Sequence, residues 1–365
     1  MKMKRKGILL TLTAGVLAMS LAACGGQESG NGSTGNAGST AGSLSAGAGA
    51  AGKGEVVVYT AVDQVFSEKI FEQFEKDTGI KVKPVYDLEA NKTTGLTNKI
   101  LSEKENPVCD VFWNNEFVQT IELQRQGVLQ PYVSPEAADI PEAYKDSEGY
   151  WTAFGGRARV LLVNTDLVDA KDYPTSIYDL TNGKYEADQI AIAYPMFGTT
   201  RTQAAALYAA LGADKGKEFF QTLKDNGVQV VDGNSVTKDM AAAGQVKIGY
   251  TDTDDAKEAL EDGAHVTMCF TDQGDGEIGN LITPNTAAMI KGAPDEENAK
   301  IFIDYVISLD REKELIEMGF FDLSIRPDAD VEGLKVKGMN INLTEVYDML
   351  ETASKDMQEI FATGA

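Results

Sequence analysis

From Glu55 onward, short apolar runs rich in β-branched residues alternate with segments whose apolar positions recur at helical spacing. The run at 56–59 (VVVY) predicts a buried strand, and the segment 64–77 predicts a helix that Thr78 and Gly79 end. Further strands are predicted at 80–86, 109–113, 159–163, 189–193, 228–231, 246–249, 265–270 and 281–290, and further helices at 94–103, 118–126, 202–211, 214–226, 236–243 and from about 296. This alternation predicts an α/β protein with a largely parallel sheet that helices cover on both faces. A pattern of this length exceeds one ordinary domain, so we expect two lobes with strands passing between them.

The first 53 residues follow a different pattern. Residues 1–23 have a basic start and an apolar run too short to span a bilayer, as an export signal does. The ending LAAC resembles the bacterial lipobox, so residues 1–23 are predicted to be a lipoprotein signal peptide and Cys24 to carry lipid. An ordinary signal peptide with an incidental cysteine is the alternative. Residues 24–53 are almost entirely Gly, Ser, Ala, Thr and Asn, which predicts a flexible tether.

Composition excludes several classes of function. The 365 residues include 33 Lys and Arg against 56 Asp and Glu, for a net charge of −23, which argues against a nucleic-acid partner. One histidine, His265, and three cysteines cannot build a histidine-rich or cysteine-cluster metal site or a disulfide framework. Cys109 and Cys269 either pair or stay apart as buried thiols, and their strand-like surroundings favour thiols. No cofactor is predicted.

Two motifs match the pattern of a known binding site only in part. GDGEIG at 274–279 matches the dinucleotide fingerprint, but a strand with Pro284 follows it instead of a helix. The acidic run 252–255 begins like a calcium loop, yet Ala256 and Lys257 stand where that loop needs a further ligand and a turn glycine. Neither a nucleotide site nor an EF-hand is expected.

A third motif is more informative. Phe197, Gly198, Thr199 and Thr200 lie between a predicted strand and an alanine-rich helix, where free backbone N–H groups and the helix dipole favour an anion. A simple capping turn is the alternative. Arg157 and Arg159 stand at i and i+2 on one predicted strand, so both can point into one cleft, or else each pairs with a surface carboxylate.

Taken together, these segments resemble an extracellular solute-binding protein of an ABC importer, in the group that contains ferric-ion-binding proteins and their organophosphate-, phosphonate- and polyamine-binding relatives. The matching stretches are VVVYTA, IFEQFEKDTGIKV, DVFWNNE, GGRARVLLVNT, PMFGTTRTQAAALYAALG, KIGYTDTDDA, TDQGDGEIGNLITPNT, GAPDEENAKIFIDYVIS and IRPD. Their order and spacing make the resemblance specific.

The resemblance implies a type 2 periplasmic-binding-protein fold of two lobes, each a mostly parallel sheet flanked by helices, with the ligand cleft between them. The implied division places lobe 1 at 54–157 and 272–295, lobe 2 at 158–271, and C-terminal helices that pack across the lobes at 296–365. Mapped onto this sequence, the expected ligand-binding residues are Tyr59, Thr60, Ala61, Asn114, Asn115, Arg157, Thr199, Thr200, Asn234, Ser235, Tyr250, Asp252, Asp272 and Gln273.

The ligand follows less directly from the resemblance. Ferric binders of this group usually hold iron with two adjacent tyrosines, whereas here Thr251 and Asp252 follow Tyr250. Two arginines and a Gly-Thr-Thr helix start favour a phosphate- or phosphonate-bearing anion. Ferric iron or an iron complex, held by Tyr250 and Asp252, is the alternative, and polyamine or thiamine-like cations are a third.

An exported hydrolase is disfavoured as a function, because the sequence has no G-x-S-x-G motif and His265 is its only histidine. The first 53 residues predict a lipoprotein that is exported and anchored to the outer face of the bacterial cell membrane. The resemblance implies a small-molecule ligand and the ABC permease as partners, and a tethered protein that docks on a permease is by default a monomer.

Overall fold

The computed structural model describes residues 54–87 and 94–361. The predicted signal peptide, the lipidation site Cys24 and the tether lie outside these residues. Within the described ranges, none of the helices has the length and apolar character needed to cross a membrane.

The first half of the described chain begins with strand, helix and strand in the predicted order. Its elements are β1 (Glu55–Thr60), α1 (Gln64–Thr78), β2 (Lys81–Tyr86), α2 (Thr94–Ser102), β3 (Val111–Asn114), α3 (Val118–Arg125), β4 (Leu129–Gln130) and β5 (Thr152–Asn164). Helix α1 ends where expected, because Gly79 adopts a left-handed conformation with φ of 76° and donates its N–H to the carbonyl of Glu75.

The second half supplies the remaining strands and most of the longer helices. Its elements are β6 (Ile190–Ala193), α4 (Gly198–Leu211), α5 (Ala213–Asn226), β7 (Gln229–Val231), α6 (Asn234–Ala242), β8 (Ile248–Asp252), α7 (Thr253–Glu261), β9 (Val266–Cys269), β10 (Ile282–Ile290), α8 (Glu296–Ile307), α9 (Leu309–Glu317) and α10 (Leu343–Phe361). Helix α7 begins within the acidic run 252–255 and was not predicted. Its first turn carries Asp254 and Asp255, which suit the positive end of the helix dipole.

Two long strands join the halves of the sheet. The strand order is β2-β1-β3-β10-β5-β8-β6-β7, with β4 added on β10 and β9 on β5. Strand β1 pairs in parallel with β2 and β3, and β6 pairs in parallel with β7 and β8, whereas β5 and β10 run antiparallel to their partners. Residues 152–158 of β5 pair with β10, and residues 159–164 pair with β8 and β9. The predicted two-lobed α/β fold is confirmed, and the limits of the lobes stay a prediction.

For the description that follows, the first lobe is the part built on β1–β4, β10 and residues 152–158, and the second lobe is the part built on β6–β9 and residues 159–164. The core of the first lobe is aromatic: the Trp113 ring lies 5.9 Å from Phe71, 6.1 Å from Phe154 and 6.5 Å from Phe302. The second lobe packs smaller side chains of β5 and β6 against α6 and α7. Cys109 and Cys269 are buried free thiols, as favoured from their surroundings.

A buried ion pair holds the middle of β5. Glu312 is fully buried, accepts the backbone N–H of Gly155 at 3.0 Å, and lies 2.9 Å from Nε of the buried Arg326. Gly155 has φ of 45°, and a Cβ there would lie 2.2 Å from the Phe321 ring. Only glycine fits this position. The backbone that leads to Arg157 is therefore held by the hydrogen bond to Glu312 and by its close packing against Phe321.

Candidate functional site

A cavity of about 420 Å³ lies where the two lobes face each other, within the range of small-molecule sites. The start of α3, the middle of β5, the first residues of β10 and the start of α4 form its walls. Its lining residues are Thr94, Asn115, Glu116, Val118, Gln119, Arg157, Met196, Phe197, Gly198, Thr199, Arg201, Thr202 and Thr283.

Three polar atoms on this lining have no hydrogen-bond partner anywhere in the described ranges: Oδ1 of Asn115, Nε of Arg157 and Oγ1 of Thr283. Thr283 is only 2% exposed. Buried polar atoms in proteins are nearly always bonded, so three free ones on one cavity indicate a polar ligand. Arg157 supplies an N–H donor, Thr283 a hydroxyl, and Asn115 an amide that can present oxygen or nitrogen.

The start of α4 adds backbone donors to the same cavity. Phe197 precedes the helix in an extended conformation, and within the described chain no side chain caps this end. The first N–H groups of a helix have no partner inside it, and the dipole makes this end attractive to anions. Arg201 of α4 also lines the cavity, and its Nε donates to Oγ of Ser354 at 2.8 Å.

Two carboxyl groups, of Glu116 and Asp254, lie near these donors, and Glu116 already accepts hydrogen bonds from α3. Glu116 accepts the N–H groups of Val118 at 2.6 Å and Gln119 at 2.9 Å, so it caps α3. Burial raises the pKa of the Glu116 carboxyl, and the charge of Arg157 opposes this shift. Asp254 lies 3.8 Å from Nε of Arg157, and desolvation raises the pKa of this carboxyl to about 6.

The other arginine of the predicted pair has a different role. Arg159 is fully buried and donates to Oδ1 of Asp252 at 3.0 Å, to Oδ1 of Asn234 at 3.1 Å and to the carbonyl of Tyr250 at 3.2 Å. Its guanidinium also lies 4.6 Å from the centre of the Tyr250 ring. Thr199 joins the network through Oγ1, which donates to Oδ2 of Asp252 at 2.5 Å. We call these residues the Arg159 network, and it fixes the start of α4 from behind.

The remaining predicted site residues divide between this network and other places. Thr200 donates to Asn234 at 3.0 Å and belongs to the network. Ser235 is exposed and contacts Asp255 at 3.3 Å. Asn114 is buried and orients Glu116 through a 3.1 Å hydrogen bond. Of the predicted residues, the cavity lining thus includes Asn115, Arg157 and Thr199.

Two predicted groups form hydrogen bonds away from the cavity instead. Tyr59 donates to Glu103 at 2.9 Å, Thr60 accepts the N–H of Val62, and Ala61 donates its N–H to the carbonyl of Trp113. Asp272 accepts from Ser176 and from the N–H of Ile177, and Gln273 bonds Asn280 and Lys337. None of these five residues is on the cavity lining. Their role in binding stays a prediction.

Several lining residues were not found from the sequence. Thr283 lies in a strand whose register against Arg157 cannot be read from spacing. Phe197 and Arg201 flank the Gly-Thr-Thr motif, and Gln119 follows the Asn-Asn pair by a few residues. Closeness to a recognised motif was the one available signal for these three.

Three carboxylates form a second feature beside the network. Asp252, Asp254 and Asp255 each offer an oxygen within 4.8 Å of the others. Asp252 is committed to Arg159, and Asp255 accepts from Thr251 at 2.9 Å. Burial raises the pKa of the Tyr250 phenol, with the Arg159 charge opposing the shift. A hard cation here would share its ligands with two arginines, so the cluster fits a cation poorly.

Affinity for an anion at Arg157 should depend on pH through Asp254. Below about pH 6 Asp254 is protonated and no longer competes for the guanidinium, so affinity should rise as the pH falls. Asp254→Asn should therefore bind a phosphate ester about fivefold more tightly than the parent at pH 7.5, and equally at pH 5. Calorimetry at each pH gives the ratio of the affinity of Asp254→Asn to that of the parent, and this ratio does not depend on the titration of the ligand itself. A ratio that does not change with pH would contradict the role of Asp254.

The comparison with known proteins decides the family. The profile of the bacterial extracellular solute-binding proteins matches residues 106–330. The chain belongs to this family. It is therefore a solute-binding protein of an ABC importer, exported to the extracellular or periplasmic side, and its relatives are transport proteins and not enzymes.

This solute-binding protein has curated and structural relatives. It is 24% identical over 270 residues to the major ferric iron-binding protein of Neisseria meningitidis serogroup A, covering 72% of this chain and 78% of the relative. It matches the Trichodesmium IdiA (FutA) structure in complex with iron and citrate at a TM-score of 0.75 and 22% identity, over 84% and 99% of the two chains. It also matches the structure of AfuA of Actinobacillus pleuropneumoniae with exogenous fructose-6-phosphate bound. The TM-score is 0.66 and the sequence identity 21%, over 86% of this chain and 100% of AfuA. At these identities the structures establish the fold.

Proposed function

We propose that the protein captures an organic anion bearing a phosphate or phosphonate group in the cavity between its lobes and delivers it to the membrane permease. The observation that carries this proposal is the set of three polar atoms, of Asn115, Arg157 and Thr283, that have no hydrogen-bond partner among the described residues and lie on a cavity that the start of α4 also lines. A guanidinium, a hydroxyl and free helix N–H groups are the donors that bind tetrahedral oxyanions. The AfuA relative holds fructose-6-phosphate, which supports this ligand class.

The strong negative charge of the whole chain does not oppose such a ligand. The net charge is −23, but charges beyond the Debye length of about 8 Å in physiological salt are largely screened. Within that distance the ligand would meet Arg157 and the start of α4. The carboxyl groups that act most on the Arg157 charge are those of Asp254, Asp252, Asp322 and Glu116. Asp252 is paired with Arg159 and Asp322 with Lys257, so Asp254 is the acid that most directly opposes an anion at Arg157.

Ferric iron, or an iron complex, is the second candidate. The cluster of Asp252, Asp254 and Asp255 supplies hard oxygen ligands, and several relatives are named as ferric iron-binding or iron uptake proteins. Against it, Tyr250 has Thr251 and not a second tyrosine beside it, its phenol is held protonated by burial, and the Arg159 guanidinium faces its ring. Iron(III) prefers phenolate and carboxylate oxygens without a neighbouring cation.

The proposal also covers how the protein works at the membrane. Lipid on Cys24 and the tether at 24–53 would hold a monomeric binding domain near its permease. Lobe 1 at 54–157 and 272–295 and lobe 2 at 158–271 would close on the ligand, because contacts to both walls of the cavity form only in the closed state. The C-terminal residues 296–365 would pack across both lobes.

Calorimetry on the chain from residue 24, with Cys24→Ser to keep it free of lipid, tests the ligand class. Glucose 6-phosphate, a phosphonate and ferric citrate are titrated separately, at pH 7 and fixed salt. We expect binding of the phosphate or phosphonate and none of ferric citrate. Binding of ferric citrate alone, lost in Tyr250→Phe, would overturn the proposal in favour of iron.

Thr283→Val sharpens this test. Its hydroxyl has no partner in the described chain, so its removal should leave the free energy of unfolding unchanged or slightly higher, and should weaken ligand binding about fivefold. Thr237→Val is the matched control, because that buried hydroxyl donates to the carbonyl of Gly233 at 3.1 Å and does not line the cavity. It should lower stability by about 1 kcal/mol and keep the affinity. Unaltered binding by Thr283→Val would contradict the assigned site.

A further inference from the structure

The cavity has an apolar side that the phosphate-binding donors do not use. Phe197 is 71% exposed although phenylalanine is usually buried, and its ring lies on the cavity lining. Met196 and Val118 lie on the same lining, so the cavity also presents an apolar surface beside its donor groups. A ligand consisting of an anionic group alone would leave this surface in water.

The Phe197 ring is exposed but contacts another aromatic ring. Its backbone is extended directly before α4, with φ of −136° and ψ of 158°. Its ring lies 6.2 Å from that of Tyr194, which in turn lies 6.4 Å from the ring of Phe361 in α10. An aromatic ring that contacts another ring and is still largely exposed can pack against a flat apolar surface of a ligand.

The size of the cavity points the same way. At about 420 Å³ it lies within the range of 300–1,000 Å³ that sites for drug-sized molecules occupy. A bare phosphate or a single metal ion would fill only a small part of it. Gln119 and Arg201 also line the cavity, and their side chains offer polar groups to hydroxyls on the rest of a larger ligand.

We infer that Phe197 is a specificity-determining residue, whose ring packs against a flat apolar face of the organic part of the ligand, either the C–H face of a sugar or an aromatic ring. This inference rests on the proposed function and narrows it to ring-bearing phosphate or phosphonate esters. Phe197 sets which ester is preferred, and the Arg157 side of the cavity binds the anionic group in all of them.

Affinities for four probes test the inference: glucose 6-phosphate, phenyl phosphate, methyl phosphate and inorganic phosphate, measured by calorimetry at one pH and salt concentration. We expect the parent to bind at least one ring-bearing ester tenfold or more tightly than methyl phosphate. The affinity of Phe197→Ala for that ester should be about tenfold lower than that of the parent, and its affinity for methyl phosphate less than twofold lower. Phe197→Trp should keep the preference. Tyr178→Ala is the matched control, since Tyr178 is also an exposed aromatic and is not on the lining.

The outcomes separate this inference from the proposal beneath it. Equal ratios of ring-bearing to methyl ester in the parent and in Phe197→Ala would overturn the role of Phe197 and leave the phosphate site standing. Unchanged affinities with reduced uptake in cells would overturn it as well, and would place Phe197 in a permease contact. Absence of binding of all four probes by the parent would overturn the proposed function and, with it, this inference.

Discussion

Replacing Arg159 by methionine is expected to lower the free energy of unfolding by about 3–5 kcal/mol, because the substitution leaves a buried carboxylate without its cation. Asp252 is only 4% exposed, and Arg159 lies 3.0 Å from its Oδ1. Asn234 and the Tyr250 carbonyl would lose a donor in the same step. Urea denaturation followed by circular dichroism measures the loss.

A double variant tests this explanation. Arg159→Met with Asp252→Leu removes both charges, and paired buried charges are often replaced by apolar residues at little cost. The double variant should therefore recover much of the stability that the single variant loses. Equal stabilities of the single and double variants would show that the ion pair is not the reason for the loss.

Replacing Arg157 by methionine is expected to have the opposite profile. The Arg157 ion pair with Asp254 is long, at 3.8 Å, and Asp254 is more than half exposed, so the free energy of unfolding should change by less than about 1 kcal/mol. Affinity for a phosphate ester should fall roughly thirtyfold, because a charge-assisted hydrogen bond contributes about 2 kcal/mol. Calorimetry and urea denaturation on the same preparation measure both quantities.

Arg157→Lys is the conservative partner of this variant. Lysine keeps the positive charge but lacks the planar fork that bonds two oxygens at once, so it should recover part of the affinity. A variant Arg157→Met that binds as tightly as the parent would remove Arg157 from the site. A loss of stability as large as that of Arg159→Met would show that both arginines are structural.

The elements of the fold were largely predictable because their signals are local. The run of valines in β1 and the glycine after α1 set those boundaries to within one or two residues. Helix α7 was missed because its first turn is Thr253, Asp254 and Asp255, which are residues equally common in loops. The helix is favoured by the burial of Ala256 and Ala259 against the sheet, which local sequence does not reveal.

The site was predictable only in part. Alternation along a strand predicts that Arg157 and Arg159 share a face, yet it cannot tell which of them is buried among partners and which lines a cavity. That difference depends on Asp252 and Thr199, which come from two other elements. Thr283 reaches Arg157 only through the pairing of β10 with β5, about 125 residues away along the chain.

The pairing of β10 with β3 also bears on the order in which the chain can fold. Thr286 pairs with Asn114, so the sheet of the first lobe cannot be completed until a distant part of the chain has been made. The strands of the second lobe, by contrast, come from one continuous stretch, residues 159–269. Loop closure is slower for distant partners, so we expect the second lobe to fold first. Until β10 arrives, β3 has an open edge that is prone to pair with other chains, and the ligand cavity lacks the part of its lining that Thr283 supplies.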